Sequence, residues 1–272
     1  MNALRSRDNP HVRHWHALAH DGRARRQSGR ALLEGTHLLG TFLGSGGRPV
    51  SLLLSETGRD NAEIAALVRR AGAEPALLAD SLFRWVVDVA TPAGIAAEIE
   101  IPGPVPDAAE GDCVFLEAIQ DAGNVGAILR CAAAFGVRTG VLDGHCADPW
   151  SPKVLRAAMG AHFSLSIQRS GDLAAAVAAF GGTTVCAAAH GGRALVEIDL
   201  GERVGWILGA EGQGVSAALR SLAAQSATIG LAPGTESLNV AAAAAILFYE
   251  RARRAAAATT PPRAPSTRGA RS

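Results

Sequence analysis

Short apolar runs alternate with helix-like segments over the second half of the chain. Buried strands are predicted at residues 113–118, 139–142, 163–167, 183–188, 205–208 and 228–231. Helices are predicted at residues 125–135, 152–159, 173–180, 216–224 and 238–257. Because strands that alternate with helices form a mostly parallel sheet covered on both faces, residues 112–258 are predicted to fold as an α/β domain.

The first hundred residues are predicted to form a smaller α/β domain. Residues 31–42 and 62–71 have helical patterns, and residues 50–54 read as a buried strand. The proline-rich run at residues 101–106 interrupts both patterns, since proline fixes the backbone and removes a hydrogen-bond donor. We therefore predict domains at 1–100 and 112–258, a linker at 101–111 and a disordered basic tail at 259–272.

The composition is typical of a globular protein without a membrane span. Apolar residues make up 48% of the 272 residues, yet no uninterrupted apolar run reaches the roughly 18 residues that a membrane helix needs. The amino terminus lacks the apolar stretch of a signal peptide, and the four cysteines are scattered along the chain. These features predict a cytoplasmic protein that has no structural zinc site and does not contact a membrane.

Positive charge is concentrated at both ends of the chain. Residues 1–30 carry seven arginines and two aspartates, and residues 251–272 carry six arginines and no acid, although the net charge is only +1. Clustered arginines favour contact with a polyanion such as RNA, the alternative being that both ends are solvated arms. His11, His14 and His16 have a spacing that can ligate zinc, but the neighbouring arginines repel a cation. We interpret this segment as RNA-facing, with Trp15 available to stack on a base.

Three polar or glycine-rich clusters follow predicted strands, where ligands bind in open parallel sheets. In the first, at residues 120–130, Asp121 or Asn124 is predicted to cap a helix, and Arg130 lies near the same helix face as Asn124. In the second, residues 208–214 contain three glycines, but in neither the dinucleotide nor the P-loop spacing, and Glu211 disfavours a phosphate ligand. In the third, at residues 236–240, Ser237 is predicted to cap the last helix.

Taken together, the clusters resemble the motifs of the SpoU (TrmH-type) branch of the SPOUT RNA methyltransferases. The resemblance rests on three ordered motifs: Asn124-x-Gly126-x-Ile128-x-Arg130, Leu208-Gly209-Ala210-Glu211-Gly212-x-Gly214 and Ser237-Leu238-Asn239-Val240. A segment at residues 148–157 is also similar to one common in that family. The amino-terminal part, at residues 6–10 and 33–35, is similar to the L30e-like substrate-binding domain often fused to such enzymes.

The resemblance implies a deep trefoil knot, a homodimer and transfer of a methyl group from S-adenosylmethionine to a ribose 2′-hydroxyl of RNA. It implies ribosomal RNA as the substrate more than transfer RNA. The cofactor is expected to lie against Gly209, Ile229 and Leu238. The implied catalytic residues are Arg130, Asn124, Glu211, Ser237 and Asn239, and the arginine is expected to reach substrate held mainly by the other subunit.

The sequence departs from the family pattern at three positions and leaves other functions open. Ala122 and Gly230 stand where proline is common, and Ala158 stands where serine is frequent. Arg130 is interpreted first as a phosphate anchor, because a guanidinium does not readily lose the proton that it would have to lose before it could act as a base. The alternatives are a transfer RNA methyltransferase, a catalytically silent RNA-binding module on the same fold, and an unrelated α/β nucleotide-binding enzyme such as a reductase.

Overall fold

The computed structural model describes residues 3–103 and 111–259, which form two β-sheets with packed helices. The amino-terminal elements are α1 (Pro10–His20), α2 (Gly22–Ser28), β1 (Arg30–Glu34), α3 (Thr36–Gly44), β2 (Ser51–Ser55), α4 (Ala62–Ala71), β3 (Ala76–Leu78), α5 (Asp80–Val86) and β4 (Ile95–Glu100). Their sheet has the order β1-β4-β2-β3, in which β4 is antiparallel to β1 and β2, and β3 is parallel to β2. This arrangement confirms the predicted smaller α/β unit.

The second half of the chain forms a seven-stranded sheet. Its elements are β5 (Cys113–Leu116), α6 (Ala122–Ala134), β6 (Thr139–Leu142), α7 (Pro152–Ala158), β7 (Ser166–Arg169), α8 (Leu173–Ala178), β8 (Thr183–Ala187), β9 (Arg193–Ala194), β10 (Val204–Leu208), α9 (Ala217–Leu222), β11 (Gln225–Thr228) and α10 (Val240–Thr259). The strand order is β7-β6-β5-β10-β8-β11-β9, and every neighbouring pair is parallel. The predicted parallel sheet is therefore confirmed.

Helices cover both faces of this sheet because its central strands are apolar on both sides. All residues of β5 and β10 are buried, as expected for parallel strands inside an α/β fold. Trp206 and Leu208 of β10 pack with α6 and α10 on one face, whereas Ile207 packs with α8 and α9 on the other. Because β5, β8, β10 and β11 run parallel, the loops that follow them lie at the same edge of the sheet.

Three element predictions are wrong. Residues 31–42 do not form one helix, because they contain β1 and α3, and Gly35 between them turns the chain at φ 91°. Residues 228–231 are not a strand, since β11 ends at Thr228. Residues 163–167 begin in a 3₁₀ turn, and β7 starts only at Ser166.

The two sheets share apolar and ionic contacts through the segment that contains α7. Trp150 and Leu155 are buried within the core of the amino-terminal sheet, and Phe163 packs on Phe42 with ring centroids 5.2 Å apart. Two ion-pair groups cross the same boundary: Arg25 with Asp148, and Arg156 with Glu34 and Asp88.

The limits predicted for the linker and the tail fall mostly where the structure gives no description. Residues 104–110 and 260–272 lie outside the described residues. Within residues 3–103 and 111–259, no helix combines the length and the apolar character that crossing a membrane requires.

Candidate active site

A cavity of about 420 Å³ opens at the carboxyl ends of β8, β10 and β11, and its size is that of a small-molecule site. The loops after these strands and the first turns of α10 form its wall. Six residues predicted as site residues line it: Gly209, Glu211, Ile229, Ser237, Leu238 and Asn239. Residues 187–189 also line it, and the sequence carried no signal for them beyond their place at the end of a predicted strand.

The loop after β10 is a tight turn that requires glycine. The Gly214 N–H donates to the Ala210 carbonyl oxygen at 2.8 Å, and Gly212 and Gly214 have φ values of 85° and 66°. A Cβ atom on Gly209 would collide with the Gly214 carbonyl group and the Val215 nitrogen. The loop therefore closes on itself and presents backbone to the cavity.

Three side chains from separate segments meet at the cavity rim, and two of them, Glu211 and Asn239, also line it. Asn124 and Asn239 each donate an amide N–H to Glu211 Oε1, at 2.9 and 2.8 Å. Asn239 Nδ2 also lies 3.0 Å from Asn124 Oδ1. Because a carboxylate accepts several hydrogen bonds, Glu211 joins the starts of α6 and α10 to the loop after β10. The partners of the Glu211 carboxylate are thus the side-chain amides of two residues from the other predicted motifs.

Asn239, and not Ser237, caps α10. Its Oδ1 accepts from the backbone nitrogens of Ala241 and Ala242 at 3.0 and 3.2 Å, which leaves Nδ2 to face Glu211. The prediction that Ser237 caps α10 is therefore wrong. Its exposed side chain lies at the cavity wall instead.

The start of α6 is fixed by a cap and by close packing. Asp121 Oδ1 accepts from the Asn124 backbone nitrogen at 2.8 Å, which selects Asp121 as the cap from the two predicted residues. Gly126 faces α7 so closely that a Cβ would lie 2.8 Å from the Val154 carbonyl oxygen and 3.0 Å from the Ala158 nitrogen. Glycine at this position therefore lets α6 pack directly on α7.

Arg130 stands apart from the cavity. Its side chain is exposed on α6, it does not line the cavity, and it makes no hydrogen bond or ion pair with any residue in 3–103 or 111–259. The structure therefore gathers Asn124, Glu211 and Asn239 and leaves the guanidinium of Arg130 free toward solvent.

Buried thiols near the strand ends are not nucleophiles. Cys146 accepts from the Ile119 nitrogen and donates to the Leu116 carbonyl oxygen, both at 3.3 Å. Burial raises the pKa of the Cys146 thiol to about 12, and burial raises that of Cys113 to about 12 as well. Both thiols are thus protonated at neutral pH.

The prediction that Trp15 stacks on a base is wrong. Trp15 is only 4% exposed, and its Nε1 donates to Glu98 Oε2 at 3.0 Å. His14 contacts Glu98 Oε1, while His16 contacts the Trp85 carbonyl oxygen, so these imidazoles do not converge. Across the described part of the chain, no three His, Cys, Asp or Glu side chains are grouped in a way that could hold a metal ion.

The sequence is similar to known methyltransferases along most of its length. Residues 112–249 match the SpoU rRNA Methylase family, and residues 9–97 match the MRM3-like substrate binding domain. An uncharacterized tRNA/rRNA methyltransferase of Synechocystis is 34% identical over 247 residues, which span 88% of this chain and 89% of that protein. The 23S rRNA (guanosine(2553)-2′-O)-methyltransferase RlmP of Bacillus subtilis is 32% identical over 243 residues, which span 89% of this chain and 95% of that protein.

The fold is shared with solved methyltransferases. The SpoU methyltransferase AviRb of Streptomyces viridochromogenes, in complex with AdoMet, matches with a TM-score of 0.80 at 26% identity. The match covers 91% of this chain and 98% of that one. With a family match over residues 112–249 and relatives aligned along almost the whole sequence, this chain belongs to the SpoU rRNA methylase family.

Proposed function

We propose that this chain is an S-adenosylmethionine-dependent RNA ribose 2′-O-methyltransferase that acts on ribosomal RNA. The observation that carries the proposal is the meeting of Asn124, Glu211 and Asn239, from three separate segments, at the rim of one cavity. The Bacillus subtilis relative is a 23S rRNA 2′-O-methyltransferase, and the Streptomyces neighbour was solved in complex with AdoMet, so both support the same reaction and cofactor.

The cavity suits a cationic nucleoside cofactor. Most of its lining residues have small or apolar side chains, and Gly209 lines it at the point where the loop after β10 packs against its own backbone. Glu211 is the only ionisable side chain among the described residues that line it. A lone carboxylate favours a positively charged sulfonium over a phosphate group. Gly209, Ile229 and Leu238 are the residues that we expect to hold the cofactor.

The chemistry requires alignment more than acid or base strength. S-adenosylmethionine supplies, when bound, a methyl group activated by the positive charge on sulfur. The chain must hold a ribose hydroxyl in line with that group, and such alignment contributes about 7–11 kcal/mol in favourable cases. Glu211, fixed by the amides of Asn124 and Asn239, keeps the loop after β10 in one geometry, and Ser237 offers a hydroxyl at the cavity wall.

Arg130 is proposed to bind an RNA phosphate beside the target ribose. A guanidinium keeps its proton at neutral pH and pairs with phosphate through two parallel N–H groups. The exposed position of Arg130, outside the cavity of its own chain, fits a role at the cavity of the other subunit of a homodimer. Arg130 then serves to position RNA rather than to remove the hydroxyl proton.

An apolar face on α6 and α10 supports the homodimer. Ile246 and Tyr249 are 38% and 54% exposed, and the Tyr249 ring packs edge-on against Phe135 with centroids 5.8 Å apart. Large exposed apolar side chains grouped on one helix are typical of an interface between subunits. Since Arg130 is on α6, pairing through this face brings it toward the other subunit.

We also propose that the carboxyl-terminal segment is knotted. The support is that α10 packs on α6 on one side and on the segment between β9 and β10 on the other. Arg254 donates to the carbonyl oxygens of Ile198 and Leu195 at 2.7 and 2.6 Å, and Arg251 pairs with Asp112 at 3.0 Å.

We further propose domain limits of 1–100 and 112–258, which agree with the two family matches. We also propose a cytoplasmic location, which agrees with the bacterial relatives.

Mapping of ribose methylation tests the proposed function. Total RNA from cells with and without the gene is compared by a method that reads 2′-O-methyl groups at single nucleotides. We expect one ribosomal RNA position to lose its methyl group in the deletion strain and to regain it when the gene is restored. Loss at a transfer RNA position instead, or no loss in any RNA, would contradict the proposal.

A further inference from the structure

Trp85, in α5, differs from the other three tryptophans of the chain in its exposure. Trp15, Trp150 and Trp206 are at most 6% exposed, whereas Trp85 is only partly buried. An indole that remains partly open to solvent offers a flat surface to an external planar group.

Flat and cationic groups surround this indole. The His16 ring stacks on it with 3.7 Å between ring centroids and 5° between the planes. The Arg7 guanidinium lies over the same indole, with Cζ 5.0 Å from the ring centroid. The ring centroid of His20 is 4.3 Å from that of His16. We call Arg7, Trp85, His16 and His20 the Trp85 ladder.

The ladder is bordered by positive charge. Burial lowers the pKa of His16, and the charges of His20 and Arg7 lower it further, so this imidazole is a neutral stacking partner near pH 7. Arg7, Arg13 and Arg84 are exposed on the same or adjoining elements. This surface therefore combines a flat aromatic group with the cations that RNA phosphates attract.

The ladder lies near the boundary with the methyltransferase half. Trp85 is three residues before Asp88, whose carboxylate pairs with Arg156 of α7 at 2.7 Å. α7 packs on α6 through Gly126, and α6 carries Arg130. The segment that follows α5 therefore contacts the methyltransferase half of the chain through Asp88.

We propose that the Trp85 ladder is a stacking site for an unpaired nucleobase of the RNA substrate. The inference rests on the proposed function, because it concerns how that substrate is held. Stacking on an aromatic ring accepts any base, since every base has a π face. The base occupies the indole face over which Arg7 lies, and the exposed Arg7 side chain moves to the adjoining phosphate. A fully paired duplex keeps its bases stacked inside and offers none to the ladder.

The first test measures binding of the full chain to a short single-stranded RNA and to a fully paired duplex of the same sequence. Trp85→Leu keeps an apolar side chain but removes the aromatic face, so we expect single-strand affinity to fall by about tenfold and duplex affinity to stay unchanged. Trp85→Phe keeps an aromatic ring and should retain most of the single-strand affinity. Equal losses for both RNAs, or no loss for the single strand, overturn the proposal.

A second measurement uses the unaltered protein and does not depend on a variant that folds. Acrylamide quenches exposed tryptophan fluorescence, and Trp85 is the tryptophan that it reaches best. Single-stranded RNA should protect this fluorescence, and Trp85→Phe should lack the protected fraction. Quenching that RNA does not change contradicts the proposal.

A matched pair of arginine variants separates phosphate contact from general charge. Arg7→Gln should reduce the slope of the logarithm of the RNA-binding constant against the logarithm of the salt concentration by about one. Arg59→Gln, at an exposed arginine near Asp60, should leave this slope unchanged. If polyglutamate protects Trp85 as well as RNA does, the surface is a general anion site and the stacking proposal fails.

The outcomes distinguish this proposal from the proposed function. If the protein methylates ribosomal RNA and Trp85→Leu leaves the KM for RNA unchanged, the ladder proposal alone fails. If single-stranded RNA protects Trp85 but no methyl group reaches any RNA, the proposed function alone fails.

Discussion

The side chain of Asn239 connects the beginning of α10 to the loop after β10. Its oxygen caps the helix, and its nitrogen donates to Glu211 and lies within hydrogen-bond distance of Asn124. Replacing an asparagine cap by alanine costs about 1 kcal/mol, and here it also removes a contact at the cavity rim. At this scale one residue thus serves both the stability of a helix and the geometry of the site.

Arg130→Ala is expected to reduce methyl transfer by orders of magnitude. Arg130 does not line the cavity, so cofactor affinity and the melting temperature should remain close to those of the unaltered protein. Turnover with RNA and calorimetric titration with S-adenosylmethionine measure the two effects. Arg48→Ala, at another exposed arginine, is the control and should keep full activity. An Arg130→Ala enzyme with full activity would refute the assigned role.

Glu211→Gln is expected to be milder than Arg130→Ala. A glutamine oxygen at the same place still accepts from the amides of Asn124 and Asn239, so the cluster keeps its geometry while the cavity loses its negative charge. We expect weaker cofactor binding and a moderate loss of turnover, measured by the same titration and assay. If turnover falls further than in Arg130→Ala, Glu211 is the better choice for the group that accepts the hydroxyl proton.

Among the elements, apolar runs that cross the core were predictable from the sequence. β5, β6, β8 and β10 lie within a residue or two of their predicted places, because each is buried on both faces. β11 was missed because only Ala227 in it is fully buried. Ile229 and Leu231 gave the strand-like signal instead, and they are apolar because they line the cavity.

The error at residues 31–42 has a backbone cause. Local pattern alone does not separate a strand followed by a helix from one long helix when both are apolar. Gly35, with φ 91°, makes the turn between β1 and α3. The segment before it is a strand and not a helix because β4 pairs with β1 along its whole length. Strand pairing with residues about 65 positions away is information that a local window does not contain.

Gly209→Ala tests the turn after β10. The added Cβ meets the backbone at Gly214 and Val215, so the loop must open and the cavity wall must move. We expect cofactor binding to fall to an undetectable level while the far-ultraviolet circular dichroism spectrum is retained. Gly230→Ala is the matched control, since nothing lies within 4 Å of its added Cβ. Normal cofactor affinity in Gly209→Ala would argue against this loop as the binding wall.

For the whole molecule, the basic first thirty residues are not a separable arm. Val12, Trp15 and Leu18 of α1 are at most 4% exposed within the amino-terminal core, and Arg25 is buried against Asp148. Removing residues 1–30 would therefore unfold the amino-terminal sheet as well as remove charge. The sequence indicated the charge but not the burial, because burial depends on helices and strands distant in the chain.

Tyr249→Glu is expected to convert the proposed homodimer into a monomer. The substitution places a charge on the exposed apolar face of α6 and α10, beside Ile246. Light scattering should report a single chain, and methyl transfer should be lost because Arg130 no longer reaches the other subunit. Val196→Glu, at an apolar residue that is 73% exposed elsewhere, is the control and should remain dimeric. A monomer with full activity would disprove action of Arg130 between subunits.

His162 is expected to make the stability of the protein depend on pH. Burial lowers its pKa from 6.5 to about 4, so the folded state binds this proton less readily than the unfolded state does. The free energy of unfolding should therefore decrease as the pH falls from 6.5 to 4. Urea unfolding across that range should show a smaller decrease for His162→Phe, which keeps a ring beside Trp150.

Glu250 titrates in a different range of pH, so a variant at this residue serves as the control. The side chains of Arg253 and Arg254 hold the pKa of Glu250 at about 2, below its usual 4.5, so its stabilising contribution is lost as the pH falls through that lower range. Glu250→Gln should leave the dependence between pH 4.5 and 6.5 unchanged. An unaltered profile in His162→Phe would mean that other groups carry the effect.

The placement of Trp150, Leu155 and Phe163 inside the amino-terminal core has a consequence for engineering and for evolution. A chimaera that grafts residues 1–100 onto another enzyme's catalytic half would leave a hole where these side chains belong. A chimaera should therefore take on the substrate preference of the donor enzyme only when residues 148–163 are transferred together with residues 1–100. The amino-terminal substrate-binding part therefore consists of two stretches that are separate in the sequence, residues 1–100 and residues 148–163, and both have to be inherited together.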